Sequence, residues 1–341
     1  MSLENQRYEP LLHRDVSYQS KISHMEGRIE QLDYLKGVFI LLMVTFHLSL
    51  METCHPLLRN VVYVFHMPAF LVLSGYVVNM ERDCGDFARK MMTRLMVPYL
   101  AFESLYLLAL YFWGSSMNAH NALDHLDLNL FVNLLTLRPL GPYWYLHTMI
   151  ICMTVCYVIH HFLHLRGMSA LMLSGPALYG LSLVIEGLEW NNVLFFLLGV
   201  YIASERKNFF EAIPPSFLAI VPLAVLLASP HDLSRGTLSG VAVTILVISF
   251  LLACYPRVGI VGRMMSYLGR NTMAIVIFSP MFTIVTKTWA PAFVFDPTAV
   301  CFLLVSLPFI MVGCLGCIWL YDKLHLSHYL FGKKTMYRPF Y

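Results

Sequence analysis

Apolar residues fill this chain in long blocks, and polar residues are confined to the stretches between them. A bilayer core needs about 20 mostly apolar residues per helix. Measured against that length, the blocks predict ten helices, at 34–51, 57–80, 95–113, 143–162, 168–185, 190–203, 213–229, 236–255, 268–286 and 298–321. Gly175-Pro176 kinks the fifth, and the sixth is short. The pattern divides the chain into a polar tail (1–30), one membrane domain (31–325) and a second tail (326–341). Residues 1–27 are polar, so no cleavable leader is expected, and the first apolar run is itself a predicted span. There is no internal repeat.

Composition supports lipid as the solvent. The chain is 58% hydrophobic and 13% charged, whereas a soluble domain has roughly 45–50% apolar and about 25% charged residues. The distribution of cations then gives an orientation. With the N-terminus in the cytoplasm, ten helices place eighteen Lys and Arg residues inside. Four lie outside (Arg59, Arg138, Arg235 and Lys287), and Lys36 falls within the first helix. That asymmetry follows the positive-inside rule. The expectation is an all-α multi-pass protein of the cell (inner) membrane, both termini cytoplasmic. A net charge of +3 gives no reason to expect nucleic acid.

The eight cysteines do not form a disulfide framework. Cys314 and Cys317 make a CxxC inside an apolar run, where small residues packing between helices explain them better than metal or redox chemistry. His160 and His164 have i, i+4 spacing, but an interfacial cluster accounts for them more simply, and no metal site is expected.

Ionisable groups inside a membrane are costly and are functional candidates by default. Lys36 and His47 lie on the first predicted helix, eleven residues apart, or roughly 16 Å along its axis. Lys36 sits near the cytoplasmic mouth, where snorkelling would also account for it. His66, on the second helix, returns to a depth close to that of His47, so the two could share a cavity. Pro68 frees a backbone carbonyl nearby, and Ser74-Gly75 allows another helix to approach closely; packing alone explains these three equally well. Glu103 lies near mid-membrane on the third helix. A histidine is one partner for it; a protonated, hydrogen-bonded carboxyl is the other reading. The loop carrying Arg82, Arg89, Lys90 and Arg94 suits a phosphate-bearing ligand arriving from the cytoplasm, although topology alone would also place it there.

These residues resemble the membrane acyltransferase 3 family, in particular its sugar O-acetyltransferase (fucose 4-O-acetylase-like) branch. The matching stretches are Leu32-Asp33-Tyr34-Leu35-Lys36-Gly37, His47, Phe65-His66-Met67-Pro68, Leu73-Ser74-Gly75-Tyr76 and Arg94-Leu95-Met96-Val97-Pro98-Tyr99. Further along, Tyr143-Trp144-Tyr145-Leu146 and Leu268-Gly269-Arg270-Asn271-Thr272 resemble later family motifs. The resemblance implies transfer of an acyl group, usually acetyl, from cytoplasmic acyl-CoA to a hydroxyl of an extracytoplasmic sugar or glycan. It places the catalytic histidine at His47, joined as candidates by His66 and Glu103. It places a donor contact at Lys36; with it Asp33, Arg89, Lys90 and Arg94 are the candidate donor contacts, and Tyr143, Trp144 and Asn271 the candidate acceptor contacts. Lys36 stands where relatives often carry arginine, which keeps the charge but loses the bidentate fork. Ser279 stands where some relatives have a histidine. His147 and Glu103 are not positions carried over from the family.

The chemistry agrees with that implication. A sugar hydroxyl is a poor nucleophile at neutral pH, and a histidine is a suitable general base or acyl carrier. A thioester is already activated, so no tightly bound cofactor or metal is required beyond acetyl-CoA, or another acyl-CoA, as donor. The expected partners are therefore acyl-CoA, a sugar or glycan acceptor and the bilayer; homo-oligomerisation is left open. A transporter or channel for a glycan or anionic metabolite is the rival class. It would often show repeated halves with interrupted helices, and none are found.

Overall fold

The computed structural model describes residues 29–116, 121–205, 208–228 and 233–340. The tail to residue 28, with its cations, and Arg206 and Lys207 lie outside that range. Sixteen α-helices run through the described residues, and no strand occurs among them. The first nine are α1 (Glu30–Phe46), α2 (Ser49–Cys54), α3 (Pro56–Val77), α4 (Cys84–Met91), α5 (Val97–Trp113), α6 (Leu128–Thr136), α7 (Trp144–Phe162), α8 (Gly167–Ser182) and α9 (Trp190–Ser204). The others are α10 (Phe209–Ala212), α11 (Ile220–Ala228), α12 (Leu238–Cys254), α13 (Gly259–Arg270), α14 (Thr272–Thr286), α15 (Val300–Lys323) and α16 (Leu326–Phe331).

Helix is the form the chain must take where water is absent, because each backbone N–H and C=O then finds its partner within the segment. Local residues set the starts. Asp83, Asp127 and Thr237 each accept a backbone N–H in the first turn of α4, α6 and α12. Pro56 opens α3, where a missing N–H costs nothing. A π turn, Met92–Met96, joins α4 to α5 just ahead of Pro98.

Among the described residues, five helical stretches are long and apolar enough to cross a membrane: Pro56–Val77, Cys84–Trp113, Gly141–Phe162, Leu238–Arg257 and Val300–Lys323. The pair α13 and α14, bent by 81° at Asn271, reaches that length only when its two helices are taken together, as a broken span or a re-entrant loop. Each predicted apolar block coincides with a helix, but several are shorter than expected. The block at 34–51 is the instructive case. Its helix α1 ends after 17 residues at Phe46, and a turn leads into the short α2. His47 therefore caps a helix rather than lying within one. The outward faces are what lipid requires. Only 33% of the apolar window of Val300–Lys323 is buried within the protein, and Phe112, Met172, Leu183 and Leu304 are exposed.

Two helix pairs pack closest, and both use reciprocal glycines. A Cβ at Gly37 of α1 would overlap the Met265 carbonyl of α13, and one at Gly269 would overlap the Asp33 carbonyl. Gly75 of α3 and Gly199 of α9 stand in the same relation to the carbonyls of Phe196 and Val72. Small residues that let backbones touch drive association where lipid removes the hydrophobic incentive.

Candidate active site

The first and second predicted histidines meet in one cavity. His47 and His66 line a space of about 130 Å³ with Ile40, Met43, Tyr63, Met67, Phe70, Pro142, Trp144, Tyr145, Arg235 and Val276. Tyr63 lies one turn before His66 on α3, with ring centroids 6.0 Å from His47 and 5.2 Å from His66. Both imidazoles are held alike. His47 Nδ1 is 2.7 Å from the Met43 carbonyl, and His66 Nδ1 is 2.7 Å from the Val62 carbonyl. A carbonyl can only accept, so each Nδ1 carries the proton and each Nε2 is the unprotonated nitrogen. His47 is exposed, while His66 is buried and its Nε2 has no hydrogen-bond partner.

His47 stands just past the end of α1, where its side chain reaches back to the last turn. Tyr63 secures that break by donating its hydroxyl to the Phe46 carbonyl at 3.0 Å.

Arg235 is the cation of this cavity. Its Nε donates to the Tyr63 carbonyl at 2.9 Å, and Glu189 stands 3.8 Å from a terminal nitrogen. Burial draws its pKa below the ordinary arginine value while the Glu189 carboxylate opposes the shift, and a guanidinium stays charged throughout. The sequence placed Arg235 in an outer loop. The signal that marks it is rarity: it is one of four cations assigned to that side.

A second, larger cavity of about 420 Å³ opens around the start of α1. Among the described residues it is lined by six cations, Lys36, Arg82, Lys90, Arg94, Arg270 and Lys333, with Asp33 as the carboxylate. Asp33 stands 3.9 Å from the Lys36 ammonium. Arg270 Nε is buried with no hydrogen-bond partner, a donor held ready for an anion. Lys90 pairs with Asp86 at 2.9 Å. Arg89 pairs with the same carboxylate at 2.8 Å, but its side chain points to solvent and does not reach the cavity.

The two cavities share three wall residues, Phe70, Tyr145 and Val276, from α3, α7 and α14. The phenol of Tyr145 is 2.6 Å from the Ser74 hydroxyl, and its ring meets Phe70 edge-on at 5.9 Å.

Three candidates act elsewhere than expected. Glu103 is fully buried and lines neither cavity. The histidine partner expected for it is not made. Its Oε1 accepts the Leu140 N–H at 2.7 Å instead, because α5 faces the loop entering α7 rather than the histidines. That loop supplies Pro142, Trp144 and Tyr145 to the cavity walls, so Glu103 positions them through the backbone. Tyr143 is buried behind the same wall and donates to the Ile277 carbonyl at 2.7 Å, tying the loop to α14 next to Val276. Trp144 does line the histidine cavity. Asn271 holds the C-terminal segment: its side chain bonds both the N–H and the carbonyl of Arg338, at 2.8 and 2.9 Å. Asp322 accepts from the N–H groups of Met336 and Tyr337. The segment so pinned contributes Lys333 and Met336 to the basic cavity.

A lipid-facing helical bundle that holds a basic cavity and a histidine cavity side by side, with three wall residues in common, is a membrane protein with a site among its helices. The chain belongs to the acyltransferase 3 family: the model of the family's acyltransferase domain matches residues 29–321. Acyl transfer in a membrane is accordingly its class of activity, and a transporter is not favoured. No curated protein and no solved structure matches the chain.

Proposed function

We propose that this protein transfers an acyl group, acetyl in the first instance, from cytoplasmic acyl-CoA to a hydroxyl of an extracytoplasmic sugar or glycan. The observation that carries the reading is the adjacency of the two chambers. One presents six cations for the phosphates of a nucleotide-bearing donor. The other presents two imidazoles with unprotonated Nε2 atoms.

His47 is the general base. Its open Nε2 takes the proton of the acceptor hydroxyl as that oxygen attacks the thioester carbonyl carbon. The resulting oxyanion lies in a chamber whose cation is Arg235, suited to stabilising the developing charge. Collapse breaks the C–S bond, and the imidazolium returns the proton to the departing CoA sulfur. His66 lines the same space from a buried position. Lys36, Lys90, Arg94, Asp33 and Arg270 hold the donor, and Trp144 faces the acceptor. In this reading both termini are cytoplasmic, which the cation asymmetry of the sequence supports, and the basic chamber then lies on the donor's side of the membrane with the histidines beyond it.

Purified protein should release CoA from acetyl-CoA in the presence of a sugar acceptor, and His47→Ala should abolish that release while leaving the protein folded. Glycan or anion transport that survives His47→Ala, with no turnover of any acyl-CoA, would overturn the reading.

A further inference from the structure

We propose that Phe70, Tyr145 and Val276 form an aperture between the two chambers and that this aperture sets the length of the acyl chain the enzyme transfers. The inference rests on the acyl-transfer reading and adds its specificity determinant. A donor anchored by its phosphates among the cations can reach His47 only past the residues that wall both chambers, and these three are the residues the chambers share.

The three sides differ in how firmly they stand. Phe70 is 3% exposed and is packed edge-on against Phe39 on one side and Tyr145 on the other, at 6.1 and 5.9 Å. Phe39 is itself fully buried, so Phe70 has nowhere to retreat. Tyr145 is latched through its hydroxyl to Ser74, a residue of the basic chamber. A hydroxyl pair can exchange partners with little loss, so this is the side that can swing. Val276 is the smallest of the three and sits on α14 next to Ile277, whose carbonyl Tyr143 holds. Its position is fixed by backbone, and its side-chain volume sets the third edge.

The chamber beyond is small. At about 130 Å³ it suits a two-carbon acyl group beside a reacting hydroxyl better than a long chain. Size therefore acts twice, at the aperture and in the chamber behind it.

The test is an acyl-CoA series (acetyl, butyryl, octanoyl) supplied to the full-length wild-type protein with a sugar acceptor, reading kcat/KM for CoA release. One methylene in a tight apolar site is worth roughly 10–200-fold, so wild type should favour acetyl over butyryl by about 10²-fold or more. Val276→Ala should cut that ratio by about tenfold, and Phe70→Leu should shift it in the same direction. Val276→Leu should raise it. A ratio that stays at the wild-type value in Val276→Ala and Phe70→Leu, with both proteins folded, overturns the aperture while the acyl-transfer reading stands. A wild type that prefers octanoyl-CoA does the same. A wild type that turns over no acyl-CoA overturns both.

Discussion

Gly37→Ala is the substitution whose outcome the structure fixes in sign. In a helix interior, alanine is ordinarily better than glycine by about 0.5–1 kcal/mol, so a neutral environment predicts stabilisation. At Gly37 the new Cβ would overlap the Met265 carbonyl of α13, a backbone group that cannot rotate aside. Ordinary contact begins at 3.4 Å, so α1 and α13 must part by on the order of 1 Å. Overpacking of this kind costs about 1–3 kcal/mol, which outweighs the helix gain. The faces that separate carry Asp33, Lys36 and Arg270 into the basic cavity. Misplacement of reacting or binding groups by about 1 Å can cost ~10²-fold in rate. The assay is thermal unfolding of the purified protein in one detergent, paired with acetyl-CoA turnover. Gly175→Ala and Gly316→Ala are the controls, because a Cβ at either meets nothing within 4 Å. The variant should melt below wild type and lose most of its turnover, while the controls melt at or above wild type. A Gly37→Ala protein that behaves like its controls would refute the close approach of α1 and α13.

Arg235→Ala should lower kcat/KM by about 10²-fold, as expected for losing one charged donor from a developing oxyanion. Arg235→Lys should recover only part of it, since the fork that reaches the Tyr63 carbonyl is gone; steady-state kinetics with acetyl-CoA decide the point. Asp322→Asn removes the charge that holds the Met336 and Tyr337 amides and should raise KM for acyl-CoA about tenfold, while kcat falls less. Asp296 accepts from the Thr298 hydroxyl and the Cys301 and Thr298 amides, which hold its carboxyl down at about 2. Its contribution to stability is present above the ordinary carboxylate pKa of about 4 and is lost as pH falls toward 2. Melting temperatures of wild type and Asp296→Asn should therefore converge over that acid window, and a gap that persists at the acid end would refute the assignment.

Much of this site was legible because membranes make charge conspicuous. Lys36, His47 and His66 stand out from apolar surroundings, and their sequence spacing placed both histidines at one depth, as the shared cavity requires. Glu103 stood out for the same reason, and of its two readings the histidine partner is not formed while the hydrogen-bonded carboxyl is. Hydropathy reports that a carboxyl is buried, but not which face of its helix it occupies, and its partner is a backbone N–H that no side-chain pattern reveals. Asn271 shows the same limit. Its motif was read as an acceptor contact, yet the amide braces the C-terminal segment where α13 turns into α14. The glycines of the early and late motifs, Gly37 and Gly269, read as separate signals and are in fact two halves of one helix contact. Helix ends were the least visible feature. The stop at Phe46 lies inside a predominantly apolar run with no Gly or Pro to mark it, and the Tyr63 hydroxyl on the Phe46 carbonyl is one tertiary contact at the break.

An activated thioester in open contact with water and a basic imidazole would be hydrolysed as readily as transferred, which is a reason for two chambers rather than one. His47, just past the end of α1, and His66, inside α3, each commit one nitrogen to the carbonyl four residues back and leave the other to a space lined from α1, α3, α7 and α14. The cations line the other cavity, beyond the shared Phe70, Tyr145 and Val276, and α1 contributes to both. On the proposed reading donor binding and acyl transfer are then separated in space, and water coming from the basic chamber meets the same wall as the acyl chain. The aperture that selects a short chain thus also limits hydrolysis, and the two properties should move together: a variant that admits butyryl groups should release more CoA in the absence of any acceptor. Chain-length tolerance that widens with no rise in acceptor-free release would separate the two roles and leave water exclusion to residues on the acceptor side of the chamber.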